Sequence, residues 1–325
     1  MIEGNRAPLR ALVAVLLAAL VVGPLKVPQP FLAILLTQML IAFPACDGFS
    51  VARRLAGAAG GSITGLLILA LAPNEQWISL PLFFAAMGIG TRLLGDRWGK
   101  ACAILFGMGL ASMFAEAFVY PARDLPFGLA HGVSVCTAVI ATAIASALVG
   151  FAPGPPAPPA GAESILPIGL ATCGALVAAC VLLPTELTVT VGSSCATALT
   201  IAGKPSLIRP KFLGGLLGIG AAFLFLAAIM DFGNAFGLYL AGLCGGVALF
   251  EWLAEKNGGY APVLRQAGAM FAVVATILPE PRIEITGSIE RMVAVLLGLT
   301  CGAAACFFQS SSKEPIAPAT IDLRQ

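Results

Sequence analysis

Hydrophobic positions along this chain run in long continuous stretches, separated by short segments rich in proline, glycine and charge. A membrane-spanning helix needs about 20 mostly apolar residues, with about 17–25 as the usual range. The pattern predicts an all-α polytopic membrane protein with about 12 transmembrane helices. Their predicted ranges are 9–23, 30–46, 54–72, 77–94, 101–120, 126–150, 165–184, 187–203, 211–230, 234–251, 260–278 and 286–308.

Composition supports a membrane protein. Of the 325 residues, 59% are hydrophobic and 10% are charged, whereas soluble domains carry about 25% charged residues. The net charge is only +2, and no basic patch with interleaved aromatic residues is present, so we expect no nucleic-acid partner. The nine cysteines are scattered through apolar runs without a CxxC pair, which favours buried side chains over metal ligands or disulfides.

The predicted helices divide into two groups of six. Residues 1–150 form a first transmembrane unit and residues 165–308 a second. Between them, residues 151–164 are dominated by proline, glycine and alanine, which is typical of a semi-rigid linker. Residues 309–325 are polar and predict a cytoplasmic tail.

The distribution of basic residues predicts the orientation. Cytoplasmic loops of membrane proteins carry an excess of Lys and Arg. With both termini in the cytoplasm, 14 of the 18 Lys and Arg lie on the inside. The four on the outside are Lys26, Arg123, Arg282 and Arg291. We therefore expect both termini to be cytoplasmic, which agrees with an even number of spans.

The two units align when the sequence is shifted by 157 positions, which predicts an internal repeat. Because each unit contains an even number of predicted helices, the two have the same orientation, and the repeat is parallel. Binding sites in such proteins lie near the repeat interface. The coinciding pairs include Gly57 with Gly214, Gly61 with Gly218 and Arg54 with Lys211.

Glycines in the third predicted helix recur at intervals of four, at Gly57, Gly61 and Gly65. Small residues at this spacing lie on one helical face and allow another backbone to approach closely. The pattern favours tight helix packing, with the lining of a cavity as the alternative.

Two sequence segments combine glycine with arginine at regular spacing. They contain Pro44, Gly48, Arg53 or Arg54, Gly57 and Gly61 in the first unit, and Arg291 seven residues before Gly298 in the second. Both segments resemble the fusaric acid resistance and aromatic acid exporter family of bacterial efflux permeases, which includes p-hydroxybenzoic acid efflux permeases. The resemblance covers nearly the whole chain. It implies a duplicated six-helix unit in the bacterial inner membrane that exports aromatic organic anions, with a periplasmic membrane fusion adaptor and an outer-membrane channel as partners.

The chain departs from the family in two ways. Many members carry a large cytoplasmic domain between or after the helical units, where this chain has the linker at 151–164. The first unit also has Ser134 at the repeat position of Arg291. The resemblance therefore implies less about site residues in the first unit than in the second.

Basic residues within or beside the predicted helices are candidates for binding an organic anion, because arginine forms bidentate hydrogen bonds with carboxylates. Arg53 and Arg54 stand at the predicted start of the third helix, where the helix N-terminus also favours anions. The alternative is that they fix topology and pair with Asp47. Lys211 is the repeat counterpart of Arg54 and a further candidate.

Arg291 and Glu290 lie in the first turns of the twelfth predicted helix. Charged side chains inside membranes are costly, by about 2.5–3.5 kcal/mol on insertion scales, so each is a functional candidate. Arg291 is a candidate for binding or gating the substrate carboxylate from the external side. An interfacial ion pair is the alternative.

Three side chains are candidates for proton coupling: Glu116, His131 and Glu290. His131 is the only histidine and changes charge near neutral pH, although a packing role is the alternative. Glu116 stands among apolar residues near the end of the fifth predicted helix. Glu251 and Glu255 are expected to be solvated at the start of a cytoplasmic loop.

The chain shows no HExxH, GxSxG or nucleotide-binding Gly-rich Lys loop, so we expect neither enzymatic activity nor a cofactor. Our leading hypothesis is a proton-coupled exporter of hydrophobic or aromatic organic anions. A passive organic-anion channel, like the related plant malate channels, and a structural subunit without transport are the alternatives. Whether the chain forms a homo-oligomer is left open.

Overall fold

The computed structural model describes residues 6–25, 30–41, 43, 47–72, 75–119, 124–150, 165–182, 194, 195, 197–199, 205–231, 236–276 and 285–311. These residues form α-helices and short turns, without a β-strand. The helices are α1 (Arg6–Val22), α2 (Pro30–Ile41), α3 (Gly48–Leu71), α4 (Gln76–Trp98), α5 (Lys100–Val119), α6 (Asp124–Val149), α7 (Ile165–Leu182), α8 (Ile208–Asp231), α9 (Phe236–Lys256), α10 (Ala261–Ala275) and α11 (Ile285–Ser311).

Six of the described helices are long and apolar enough to cross a membrane, which indicates a membrane protein, as the composition predicted. Several other helices are apolar but shorter, at Leu32–Ile41, Lys100–Ala115 and Ile165–Ala179. The predicted count of 12 spans therefore stays a prediction. The six candidate spans are Gly48–Leu71, Trp77–Trp98, His131–Val149, Pro205–Ile229, Phe236–Lys256 and Ile289–Phe307.

Some predicted segments fall outside the described residues. The linker at 151–164 lies there, as does most of the predicted helix at 187–203. The tail was predicted to begin at 309, but α11 continues to Ser311, and the residues after it are not described.

Glycine faces hold two of the helix pairs together. On α3, Gly61 faces the backbone of α5, and an added Cβ there would overlap the carbonyl oxygen of Phe106. On α8, an added Cβ at Gly218 would likewise overlap the carbonyl oxygen of Ala267 on α10. The packing interpretation of the glycine ladder is confirmed, since only the absence of a side chain allows this approach.

The two glycine-mediated contacts differ by one helical turn. A Cβ on Gly57 would lie 2.8 Å from the carbonyl oxygen of Cys102. A Cβ on Gly214 would overlap the carbonyl oxygen of Val263. When the two units are aligned by a shift of 157 positions, however, Cys102 corresponds to Gly259, which lies one turn before Val263. Both helix pairs, α3 with α5 and α8 with α10, therefore pack through a glycine-containing face, but the contacted position in the second pair lies four residues further along the partner helix.

The first two helices connect the two halves of the chain. Helix α1 packs on α6 and α9, and α2 packs on α6 and α10. Ala11 and Val15 on α1 belong to the same apolar core as Val247 on α9 and Phe271 on α10. Residues from 1–150 and 165–308 therefore meet along α1 and α2, and they also meet where α4 packs on α7.

Candidate functional site

Helix α3 begins six residues before its predicted start at 54, because Asp47 is its N-cap. The Asp47 carboxylate accepts a hydrogen bond from the backbone N–H of Ser50, 2.7 Å away, which satisfies an otherwise unpaired donor of the first turn. This hydrogen bond lowers the pKa of Asp47 below its ordinary value, and the charge of Arg54 adds a smaller effect in the same direction. Arg53 and Arg54 therefore lie in the second turn, and their predicted position at the helix N-terminus was wrong.

Arg54 is buried, with 6% of its surface exposed. Its Nη2 donates a hydrogen bond to the backbone carbonyl of Phe43. Its Nη1 is also buried, and no described residue accepts a hydrogen bond from it. A buried charge is costly unless it is paired, so this nitrogen is suited to receive an anionic oxygen.

Arg53 is half-buried beside it. Its guanidinium stacks on the ring of Phe49, 3.8 Å from the ring centroid, in a favourable cation–π geometry. Its Nε is buried and has no hydrogen-bond partner among the described residues. The backbone carbonyl of Arg53 accepts a hydrogen bond from Sγ of Cys102 on α5, at 3.3 Å, which ties this turn to α5.

Both arginines line a cavity of about 190 Å³ where the first turns of α3 and α5 meet the end of α4. Lys100, which was not among the site residues predicted from the sequence, also lines it. Its described lining thus contains three basic side chains and no acidic one, although the carboxylate of Asp47 interacts with Arg54 from beside it. Its volume is below the roughly 300–1,000 Å³ of drug-sized ligand sites, which suits a small anion. The lining residues are Phe43, Ser50, Arg53, Arg54, Trp98, Gly99, Lys100, Ala101 and Cys102.

A larger cavity of about 470 Å³ lies between α1 and α6. It is lined almost entirely by apolar side chains such as Leu17, Val133 and Ile140. Apart from the hydroxyl of Thr137 its described lining is apolar, and no charged residue lines it to pair with a carboxylate. The smaller cavity is therefore the candidate site for an anion.

Lys211 does not line the cationic cavity. Its Nζ donates a hydrogen bond to the side-chain oxygen Oε1 of Gln266, 2.7 Å away, and Gln266 is itself buried. The contact joins α8 to α10 beside the glycine face of that pair. The structure thus separates Lys211 from Arg53 and Arg54.

Arg291 lies on α11 and donates a hydrogen bond through Nη1 to the backbone carbonyl of Thr276. Thr276 is the C-cap residue of α10. A cation beside the final carbonyls of a helix stabilises that end of the helix. Glu290 is half-buried on the same helix as Arg291.

The other predicted proton-coupling residues lie on separate helices. His131 is on α6 and is 2% exposed. Glu116 is on α5, but its side chain is outside the described part of the structure. Their proposed roles stay predictions.

Glu251 was expected to be solvated at the start of a loop, and this expectation was wrong. Glu251 lies within α9 and is 5% exposed, whereas Glu255 is exposed as expected. Its carboxylate pairs with Arg265 at 3.5 Å and accepts a hydrogen bond from Gln38 at 3.2 Å. The sequence feature that indicated a position within the helix is the uninterrupted apolar run 236–250 immediately before Glu251.

Comparison with protein-family models, curated proteins and solved structures finds no match to this chain.

Proposed function

We propose that this chain is a membrane permease that exports small organic anions, and that the cavity of Arg53, Arg54 and Lys100 captures the anion. The observation that carries the proposal is the buried Nη1 of Arg54, which has no hydrogen-bond partner among the described residues. A ligand carboxylate would supply the acceptor that Nη1 lacks among the described residues, in addition to the electrostatic interaction of Arg54 with Asp47. Arg53 and Lys100 lie within the same cavity and would add attraction.

The internal arrangement that we propose is two parallel six-helix repeats. Both glycine-mediated pairs, α3 with α5 and α8 with α10, support it, because each joins the third and the fifth of the six predicted helices in its unit, with a difference of four residues in the contact. In this arrangement α1 and α2 contact both halves, and the cationic cavity belongs to the first.

Three finer parts of the proposal rest on the family resemblance of the sequence. They are aromatic acids as substrates, a proton gradient as the energy source, and a periplasmic membrane fusion adaptor that passes substrate to an outer-membrane channel. A location in the bacterial inner membrane with both termini cytoplasmic is part of the same proposal, supported by the distribution of basic residues.

The test is binding of radiolabelled 4-hydroxybenzoate to the purified protein in proteoliposomes, with malate as a non-aromatic acid and 4-hydroxybenzamide as an uncharged analogue. Arg54→Gln is expected to weaken 4-hydroxybenzoate binding at least about tenfold, because a charge-assisted hydrogen bond contributes about 1.5–3 kcal/mol. The matched control is Arg92→Gln, which removes an exposed arginine on α4 that faces Asp96.

Equal affinity of Arg54→Gln and the unmodified protein for 4-hydroxybenzoate would contradict the proposed site. Equal affinity for the acid and its amide would contradict recognition of a carboxylate. Electrical recording in planar bilayers distinguishes the exporter from a passive channel, because only a channel gives unitary currents that persist without a pH gradient.

A further inference from the structure

A second polar cluster lies where the two halves of the chain meet. Glu251 belongs to the candidate span Phe236–Lys256 and is 5% exposed. An acidic side chain at such a position is costly and marks a functional site by default. The cationic cavity of the proposed function does not include it.

The two carboxylate oxygens of Glu251 have different partners. Oε2 faces Nε of Arg265 on α10 at 3.5 Å, and the Arg265 side chain is 52% exposed. Oε1 accepts a hydrogen bond from Nε2 of Gln38 on α2, at 3.2 Å. The carboxylate therefore connects a helix of the first half with a helix of the second.

The amide of Gln38 can serve both protonation states of Glu251. Its Nε2 donates to the carboxylate, while its Oε1 is buried and accepts no hydrogen bond from a described residue. If the amide rotates by half a turn, Oε1 becomes the acceptor for the O–H of a protonated carboxyl group. Gln38 can therefore form a hydrogen bond with Glu251 in either protonation state.

Other charged groups surround this carboxylate. Arg10 on α1 interacts electrostatically with both Glu251 and Glu255, and Glu255 follows Glu251 by one turn on α9. Lys211 on α8 is bound to Gln266, the residue after Arg265. Glu251 is the buried acid in this set, held between cations.

Gly268 on α10 makes room for the Gln38 amide. A Cβ at Gly268 would lie 3.4 Å from Nε2 of Gln38 and 3.0 Å from Cβ of Phe250. The distance to Phe250 is tight and the distance to Gln38 is that of close contact, so a side chain at Gly268 would press on α9 and would touch the Gln38 amide. The close fit explains how Gln38 reaches Glu251 across the interface.

From this geometry we infer that Glu251 is the carboxyl group that binds and releases the proton coupled to anion export. The inference rests on the proposed function. A proton from the outer solution converts the carboxylate to the neutral acid, and release to the cytoplasm restores it. Protonation removes the charge that holds Arg265, whose half-exposed guanidinium then turns to water. The contact between α9, α10 and α2 therefore changes with each proton bound.

The direct test is infrared difference spectroscopy of the full chain in proteoliposomes during a pH titration. The unmodified protein is expected to show a protonated-carboxyl band that is absent in Glu251→Gln and present in the control Glu255→Gln. Arg265→Gln is expected to move the midpoint of this band to higher pH, because a neighbouring cation favours the carboxylate.

The transport test uses accumulation of 4-hydroxybenzoate driven by an imposed pH gradient. Glu251→Gln is expected to lose accumulation while it keeps binding and exchange of the labelled acid. Accumulation at the unmodified rate in Glu251→Gln, or a band that persists in this variant, would overturn the inference. If Glu251→Gln does not fold, an unshifted band in Arg265→Gln overturns it.

The two proposals fail in different ways. Absence of 4-hydroxybenzoate binding and accumulation by the unmodified protein contradicts the proposed function. The infrared band of Glu251 is measured without any organic anion, so its presence or absence still decides whether Glu251 exchanges a proton.

Discussion

The side-chain amide of Gln38 on α2 donates a hydrogen bond to the carboxylate of Glu251 on α9, across 3.2 Å and 213 positions of sequence. Both side chains are buried. The bond therefore connects the two halves of the chain at a site from which water is largely excluded, where loss of one partner is costly.

Replacement of Gln38 by leucine is expected to lower the free energy of unfolding by about 1–3 kcal/mol, because it leaves a buried carboxylate oxygen without its donor. Reversible unfolding in mixed micelles measures the change. Thr64→Ala is the control, since the Thr64 hydroxyl donates only to the carbonyl of Gly60 in its own helix. A loss in Gln38→Leu no larger than in Thr64→Ala would contradict this role.

The apolar runs of the sequence predicted the helices because a spanning helix must be apolar over most of its length. Two features were predicted wrongly although local sequence signals indicate them: the start of α3 and the position of Glu251. Asp47, followed three residues later by Ser50, is an N-cap signal that places the start of α3 before the hydrophobic run. Glu251 directly continues an apolar run, which indicated a helix rather than a loop.

The partners of these residues could not be predicted from one sequence. The glycine spacing identified a contact face on α3, but nothing in it selects α5 as the neighbour. Lys100 joins Arg53 and Arg54 only because α5 packs on α3 there. Gln38 and Glu251 meet only through the packing of α2 and α9 around α10. Such contacts depend on tertiary geometry, which residue spacing along one helix does not contain.

The glycine faces predict opposite effects for adjacent glycines. Gly61→Ala is expected to destabilise the protein by about 1–3 kcal/mol, because its Cβ would meet the backbone of α5. Gly60→Ala is expected to be neutral or to stabilise by up to about 1 kcal/mol, because its nearest neighbour would be 3.9 Å away. Unfolding in mixed micelles compares the two variants.

The same comparison applies to the second half. Gly218→Ala would meet the backbone of α10, whereas a Cβ on Gly220 would have nothing within 4 Å. If Gly218→Ala is as stable as Gly220→Ala, the α8–α10 contact is not as close as described.

Substitution of Arg291 distinguishes a structural role of this residue from a role in substrate binding. Since its guanidinium binds the carbonyl of Thr276 at the end of α10, Arg291→Gln is expected to lower the thermal midpoint without changing the affinity for 4-hydroxybenzoate. Calorimetry and equilibrium binding on the same preparation measure both. A loss of affinity at an unchanged midpoint would instead support Arg291 as a site for the carboxylate.

Asp47 should make stability depend on pH in the acid range. Its native pKa is lowered by the Ser50 hydrogen bond from an ordinary value of 3.8. Its contribution is therefore present above the ordinary pKa and is lost as the pH falls through the lowered native pKa. Asp47→Asn keeps an N-cap acceptor but does not titrate. The difference in thermal midpoint between the two proteins should shift over this pH window, and a constant difference would contradict the prediction.

The Asp47 cap should also influence anion binding, because it holds the first turn of α3. Phe49, on which Arg53 stacks at 3.8 Å, belongs to that turn. Asp47→Ala removes the acceptor for the Ser50 amide, so the turn frays and the guanidinium of Arg53 loses its support. We expect 4-hydroxybenzoate to bind more weakly to Asp47→Ala, by less than in Arg54→Gln, and normally to Asp47→Asn. Equal weakening by both Asp47 variants would contradict this role of the cap, because Asp47→Asn keeps the acceptor for the Ser50 amide.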